Sequence, residues 1–336
     1  MVVESFLLDP APEYPVSITA KRYCEEHFAS NANNPAALTL VLLHSTSFHK
    51  ETWEPTLSDL FTLLRKGGDN APAIREAWVI ECPNHGVSGQ INKDRLMAEG
   101  FRDFSCFRYA EAAHRFLTTS SSWTGPQNDI RKRNLVGIGH SLGANAMLIL
   151  QHLEPSLVFS KLIIIEPMLT AAGPLALEPL RHHLVTRARK RIKLWDSREA
   201  VRTAYNNPQR RAAKWDMRVT NLFMEYALHW NGEHQKYELS CTPEQEVAMY
   251  LDPDGSTKPV EDLNLICHRL PVHLVLGKTP DFVPREVHEA LFDSRSGRRF
   301  ASITWMDAGH LIPQEIPTKL SAVIYDALGG NPSSRL

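Results

Sequence analysis

Three side chains suited to acyl transfer stand in a telling order along this chain. Asn134-Leu-Val-Gly-Ile-Gly-His-Ser141-Leu-Gly-Ala-Asn-Ala-Met-Leu-Ile-Leu150 reads as a buried strand, a Gly-His-Ser-Leu-Gly turn and then a helix. In that setting G-x-S-x-G lifts a serine hydroxyl off the end of a sheet, where it can attack a carbonyl carbon, and Gly139 and Gly143 leave room for the sharp turn. A serine hydroxyl is a weak nucleophile until a base takes its proton. Ile303-Thr-Trp-Met-Asp-Ala-Gly-His310-Leu-Ile-Pro313, a strand running into a glycine turn and a histidine, offers that base. His310 would take the proton from Ser141 and return it to the leaving group. Among fifteen histidines, position and not residue type singles it out.

Two carboxylates lie between serine and histidine and could orient the imidazole. Glu166 closes the apolar run Lys161-Leu-Ile-Ile-Ile-Glu-Pro167, where a carboxylate needs a buried partner to offset its desolvation. Asp281, in Val275-Leu-Gly-Lys-Thr-Pro-Asp281-Phe-Val-Pro284, follows the next strand but is one residue further from Gly277 than the common G-x-x-D spacing. Glu166 is the preferred acid and Asp281 the alternative. Asp307, three residues before the histidine, reads as a turn cap. A developing oxyanion needs backbone N–H donors. Leu142 supplies one and Thr46, in Leu43-His44-Ser45-Thr46-Ser47, the other. A dinucleotide loop is the competing reading of Gly137-x-Gly139, but Gly143 comes one residue too late for G-x-G-x-x-G, so no cofactor is expected. Glu81-Cys-Pro-Asn-His-Gly-Val-Ser88 reads as a structural turn.

These residues need a scaffold. Short apolar runs recur at Leu38 to Leu43, Ala77 to Ile80, Leu135 to Ile138, Leu162 to Ile165, Val272 to Leu276 and Ala301 to Trp305. Strands of this kind belong to a sheet covered on both faces. Between several of them, segments such as Phe107 to Leu117 and Ala144 to Leu153 carry apolar residues at helical spacing, so the expected class is α/β with a mostly parallel central sheet. About a hundred residues with helical patterning separate the strands at Ile165 and Val272, far more than a crossover needs. The expected organisation is a core of residues 1–168 and 269–336 with a helical cap, 169–268, inserted between two late strands.

The motifs resemble those of fungal peroxisomal α/β-hydrolases of secondary metabolism, which include toxin-biosynthesis proteins and the acyl-CoA hydrolase of mycophenolic acid biosynthesis. The resemblance rests on Leu135 to Asn145, Leu162 to Pro167, Ala308 to Pro313, His44 to Pro55 and the terminal Ser334-Arg335-Leu336. It implies the α/β-hydrolase fold, a Ser141–Glu166–His310 triad with the acid after the strand that follows the elbow, and an acyl thioester substrate. Glu166 stands where that family usually has aspartate, and Ser45 replaces the glycine of its His-Gly turn.

Composition sets further bounds. An apolar fraction of 43%, a charged fraction of 22% and a net charge of -1 describe an ordinary globular protein with no electrostatic case for nucleic acid. The five cysteines are scattered with no C-x-x-C, which argues against a disulfide framework or a metal site. The N-terminus lacks the basic and apolar regions of a secretory signal, and no apolar run approaches the roughly 18–20 residues of a membrane helix. Ser334-Arg335-Leu336 is a conservative variant of S-K-L, so peroxisomal localisation through the import receptor is expected. From Arg181 to Arg218, twelve Lys or Arg face only Asp196, Glu199 and Asp216. Such a cluster could hold coenzyme A phosphates, or be a solvated face paired with acidic neighbours. Acyl-CoA hydrolysis is the leading expectation. The alternatives are a carboxylesterase or lipase acting on an uncharged ester, and a non-hydrolytic enzyme or small-molecule binder on the same fold.

Overall fold

The computed structural model describes residues 1–98, 103–120, 122, 129–209 and 211–329. The terminal tripeptide that carries the localisation expectation lies outside them. Eight strands form one sheet in the order β1-β2-β4-β3-β5-β6-β10-β11. They are β1 (Val2–Leu8), β2 (Ile18–Cys24), β3 (Leu38–Leu43), β4 (Ile74–Ile80), β5 (Asn134–His140), β6 (Phe159–Ile165), β10 (Val272–Gly277) and β11 (Ser302–Met306). From β4 to β11 every pairing is parallel, whereas β1 pairs with β2 and β2 with β4 in antiparallel register.

Side chains of successive strand residues leave on opposite faces, so a strand sandwiched between helices must be apolar at every position. On β6, Leu162 and Ile164 join one buried cluster while Ile163 and Ile165 join the other. On β3 the alternation is the same, with Val41 and Leu43 on one face and Leu40 and Leu42 on the other. The helices Cys106–Thr118 and Leu142–Leu150 cover the first face, and Glu54–Gly67 with Pro317–Ala327 cover the second. This is the α/β-hydrolase architecture that the motifs implied.

All six expected strands are present. The sequence reading missed the β1–β2 hairpin, whose outer strand is mostly exposed and so lacks a continuous apolar run. Between β6 and β10 the inserted segment carries helices, among them Glu178–Arg189, Met217–Tyr226 and Pro243–Leu251, and also a three-stranded antiparallel sheet. Its strands β7 (Leu194–Trp195), β8 (Leu228–Asn231) and β9 (Lys236–Leu239) are two to four residues long, too short to show a period. Within this segment Val201, Tyr205, Phe223, Met224, Leu228 and Leu239 form a separate apolar cluster. Phe48, from the loop after β3, is inserted into it and packs against Trp215 and Phe223 at 5.1 and 6.0 Å between ring centroids.

Leu320 is fully buried in the cluster shared by the Glu54–Gly67 and Pro317–Ala327 helices. Leu320→Ala is expected to lower unfolding free energy by about 2–5 kcal/mol in a denaturant titration, as buried leucine truncations do.

Candidate active site

Ser141 stands between β5 and the Leu142–Leu150 helix with φ +56° and ψ −126°, a conformation costly for any residue with a Cβ. Close packing imposes it. A Cβ on Gly143 would lie 2.4 Å from the His44 carbonyl oxygen, and one on Gly139 would lie 2.5 Å from Ala144 Cα. The turn therefore presses against the end of β3, and this contact sets the elbow beside the loop that carries Thr46.

The other expected residues converge here. His310 Nε2 is 2.9 Å from Ser141 Oγ, and His310 Nδ1 is 3.0 Å from Glu166 Oε2. Ser141, Glu166 and His310 are all buried. Glu166 leaves the end of β6 with φ +46°, and its other oxygen, Oε1, accepts the Gly277 N–H at 2.5 Å. Asp281 Oδ1 accepts the peptide N–H of His310 at 2.7 Å, which holds the loop from behind. Asp307 lies on the surface and pairs with Lys278 at 2.6 Å.

Burial pushes the Glu166 carboxyl up to about 7, the nearby Asp281 adds to the rise, and His288 and the Gly277 N–H oppose it. His288, on the Arg285–Leu291 helix, was not singled out in the sequence. It is buried, its Nε2 stands 4.0 Å from the same Glu166 oxygen that meets His310, and that nitrogen has no hydrogen-bond partner among the described residues. No local pattern marks it, since its relation to Glu166 arises from packing across 122 positions of chain. Two further groups fix the imidazole. His140 Nε2, kept neutral by burial, donates to the His310 carbonyl oxygen at 2.9 Å, and the Phe282 ring stacks on the His310 ring at 4.6 Å. His140 sits inside the Gly-His-Ser-Leu-Gly turn, so its nearness to Ser141 was readable, although its partner was not.

The Thr46 loop is held from below by His44. Burial brings that imidazole down to about 4, so it is neutral. Its Nε2 accepts the Cys82 N–H at 3.0 Å, leaving Nδ1–H to donate to Ser45 O at 2.8 Å. Ser47 follows at φ +73°, its N–H donating to His85 Nε2 at 2.8 Å and its hydroxyl donating to Glu246 of the inserted segment. Glu246 in turn pairs with Arg191 at 2.5 Å and accepts from Tyr250 at 3.2 Å. The peptide N–H groups of Thr46 and Leu142 have no acceptor among the described residues. Glu81 is buried and receives Lys50 Nζ at 2.9 Å, Ser88 N at 3.0 Å and Thr19 Oγ1 at 2.8 Å, which suits the structural turn expected there.

Next to Leu142 opens a pocket of about 350 Å³ including its mouth, with apolar walls from Cys106, Met168, Leu177, Leu184 and Met249. Many of the basic residues between Arg181 and Arg218 are already partnered. Arg191 pairs with Glu246, Lys193 with Glu238, Arg202 with Glu199 and Arg218 with Asp59 and Asp216. Arg187, Arg189 and Lys190 are exposed and have no acidic partner among the described residues. The five cysteines are free thiols. Among the described residues no group of three or more His, Cys, Asp or Glu could hold a metal ion, and no helix is long and apolar enough to cross a membrane.

The sequence profile of the Alpha/beta hydrolase family matches residues 40–323. The type I acyl-CoA thioesterase mpaH of Penicillium roqueforti (strain FM164) is 29% identical over 160 residues, which is 47% of this chain and 32% of that protein. Its namesake from Penicillium brevicompactum is 29% identical over 140 residues, 41% of this chain and 28% of that protein. The matched stretch thus spans only about a third of these relatives' own length. Among solved structures, the peroxisomal alpha-beta-hydrolase Lpx1 from Saccharomyces cerevisiae superposes with TM-score 0.73 at 17% identity, over 98% of this chain and 88% of that one. The thioesterase domain from the curacin biosynthetic pathway gives 0.67 at 13%, over 96% and 99%. At such identities the structural likeness shows the fold alone.

The hydrogen bonds joining Ser141, His310 and Glu166 make a pH prediction. A protonated Glu166 cannot stabilise a cationic His310, so kcat/KM of an ester or thioester substrate is expected to rise with pH through about 7 and level off above. Removing His288 takes away an influence that favours the charged carboxylate. Burial pushes His288 itself down, so only its protonated fraction exerts this influence, and His288→Leu should move the limb to higher pH by a small step, with little loss at alkaline pH. An equal loss at every pH would mean that His288 only fills space.

Proposed function

The chain belongs to the alpha/beta hydrolase family, and on that basis we propose that it is a serine hydrolase cleaving an acyl thioester through Ser141, His310 and Glu166. The observation that carries the reading is the buried line from Ser141 Oγ through His310 to Glu166, with bonds of 2.9 and 3.0 Å. His310 Nε2 takes the Ser141 proton as Oγ attacks the carbonyl carbon, and the resulting imidazolium faces the Glu166 carboxylate. The tetrahedral oxyanion is received by the peptide N–H groups of Thr46 and Leu142. Collapse expels the thiolate, which takes the proton back from His310 as a thiol. A water molecule then gives a proton to His310 as it attacks the acyl-enzyme, and collapse releases the carboxylic acid while His310 returns that proton to Ser141 Oγ.

A thioester is favoured over other acyl donors by the acyl-CoA thioesterases among the relatives and by Arg187, Arg189 and Lys190, exposed together at one end of a helix of the inserted segment. In this reading residues 169–268 act as the cap over the active site. The many paired arginines favour a second reading, a carboxylesterase whose cap makes no use of phosphate.

One assay separates them. Purified protein is offered acyl-CoAs and matched oxygen esters while thiol or alcohol release is followed. Thioester turnover that falls by about 10⁴-fold or more in Ser141→Ala supports the first reading. Under it, replacing Arg187, Arg189 and Lys190 together by Ala raises KM for acyl-CoA and leaves KM for the oxygen ester where it was. Ester turnover without thioester turnover establishes the second, and silence on both points to a non-hydrolytic role.

Peroxisomal residence is the matching proposal for location, drawn from Ser334-Arg335-Leu336. A fluorescent protein fused ahead of the full chain should collect in peroxisomes and disperse when those three residues are deleted. Unchanged distribution would reject the tripeptide as the address.

A further inference from the structure

The pocket beside Leu142 has polar lining that its apolar walls do not explain. Arg181, on the Glu178–Arg189 helix, lines it together with Ser256. The Arg181 side chain is 16% exposed and makes a 3.3 Å contact to Glu178 Oε2, a carboxylate 55% exposed. A guanidinium carries five donors in a planar fork, so most of its hydrogen-bonding capacity here has no acceptor among the described residues. Ser256 is 8% exposed and its Oγ is buried with no partner among the described residues. A buried polar atom is costly when unpaired, and the unpartnered Ser256 hydroxyl, on the same cavity wall as a partly buried guanidinium with donors to spare, marks a place where a ligand supplies the acceptors. Asp252 also borders the pocket, but both its oxygens are occupied. Oδ2 accepts the Cys106 N–H at 2.9 Å, and Oδ1 accepts those of Asp254 and Gly255 at 3.1 Å. It is spent on folding its own turn.

Leu142, the residue after Ser141, is part of the pocket wall, which places the cavity next to the proposed nucleophile. We propose that this pocket selects acyl groups ending in a carboxylate, an apolar chain lying against Leu177, Leu184 and Met249 with its anionic end held by the Arg181 fork and the Ser256 hydroxyl. Arginine and carboxylate match in geometry as well as charge. The inference rests on Ser141 as the acylated residue and is independent of whether the leaving group is a thiol or an alcohol.

The test uses pairs of alkyl fluorophosphonates of equal chain length, one ending in methyl and one in carboxylate, over a series of lengths. Because the alkyl group takes the acyl position, the rate of Ser141 labelling reports this pocket without any turnover. At the best-fitting length the carboxylate probe is expected to label about tenfold faster than its methyl partner, the worth of one charge-assisted hydrogen bond. Arg181→Gln should bring the ratio toward one, Arg181→Lys should keep part of it, and Ser256→Ala should reduce it. Equal labelling by the two probes at every length, or an unchanged ratio in a folded Arg181→Gln protein, overturns the proposal while leaving the serine nucleophile standing. Labelling by neither probe overturns the nucleophile reading and this one with it.

Discussion

A carboxylate sealed away from water is the constraint around which the site is arranged. Glu166 ends a strand whose preceding four residues are apolar and sits among helices and strands that exclude solvent. Its charge is tolerable only if neighbours replace the lost hydration. They come from separate parts of the chain: the Gly277 N–H from β10, the His310 imidazole from the loop after β11, and His288 from the helix after β10. Each element must be in place before that carboxylate can be charged. The burial that makes the charge expensive also strengthens its hold on the imidazole, so the ordering of the loop and the protonation of the carboxyl are one problem.

Strain is concentrated where the chain turns toward this carboxylate. Ser141, Glu166 and Ser47 all have positive φ and a Cβ, a combination costing about 1–3 kcal/mol each. Each is held by hydrogen bonds or close packing from neighbouring elements. Ser141 N–H donates to Ile165 O at 3.0 Å and Glu166 N–H to Val275 O at 2.9 Å, so the two strained residues extend the ladder of parallel strands past its regular end. The β5, β6 and β10 strands thus carry Ser141, the Glu166 carboxylate and its Gly277 anchor in adjacent positions, with their relative heights set by strand register.

Much of this was legible in the sequence, and what was not has a physical reason. β3, β5, β6 and β10 stood out because they are buried on both faces. The β1–β2 hairpin and the short β7–β9–β8 sheet did not, because half-exposed or four-residue strands leave no period. Ser141 and His310 are readable because each is defined by its own local turn. The choice between Glu166 and Asp281 was open because both follow strands in an order compatible with service to His310. Only the fold distinguishes a carboxylate that meets the imidazole nitrogen from one that meets the peptide nitrogen of the same residue. His288 carries no local signature at all, since its relation to Glu166 is made by helix packing.

The loop after β3 is also bound upward, with Phe48 buried among the aromatic rings of the inserted segment and Ser47 bonded to Glu246. An insertion joined to its host only at its two ends could be exchanged between homologues as a cassette. This one could not. A recombinant that kept residues 1–168 and took a foreign insertion would leave Ser47 without its acceptor and Phe48 without its socket, one and two residues beyond Thr46. Successful chimeras would have to carry the β3 loop along with the insertion, so these two segments, distant in sequence, form a single unit of inheritance.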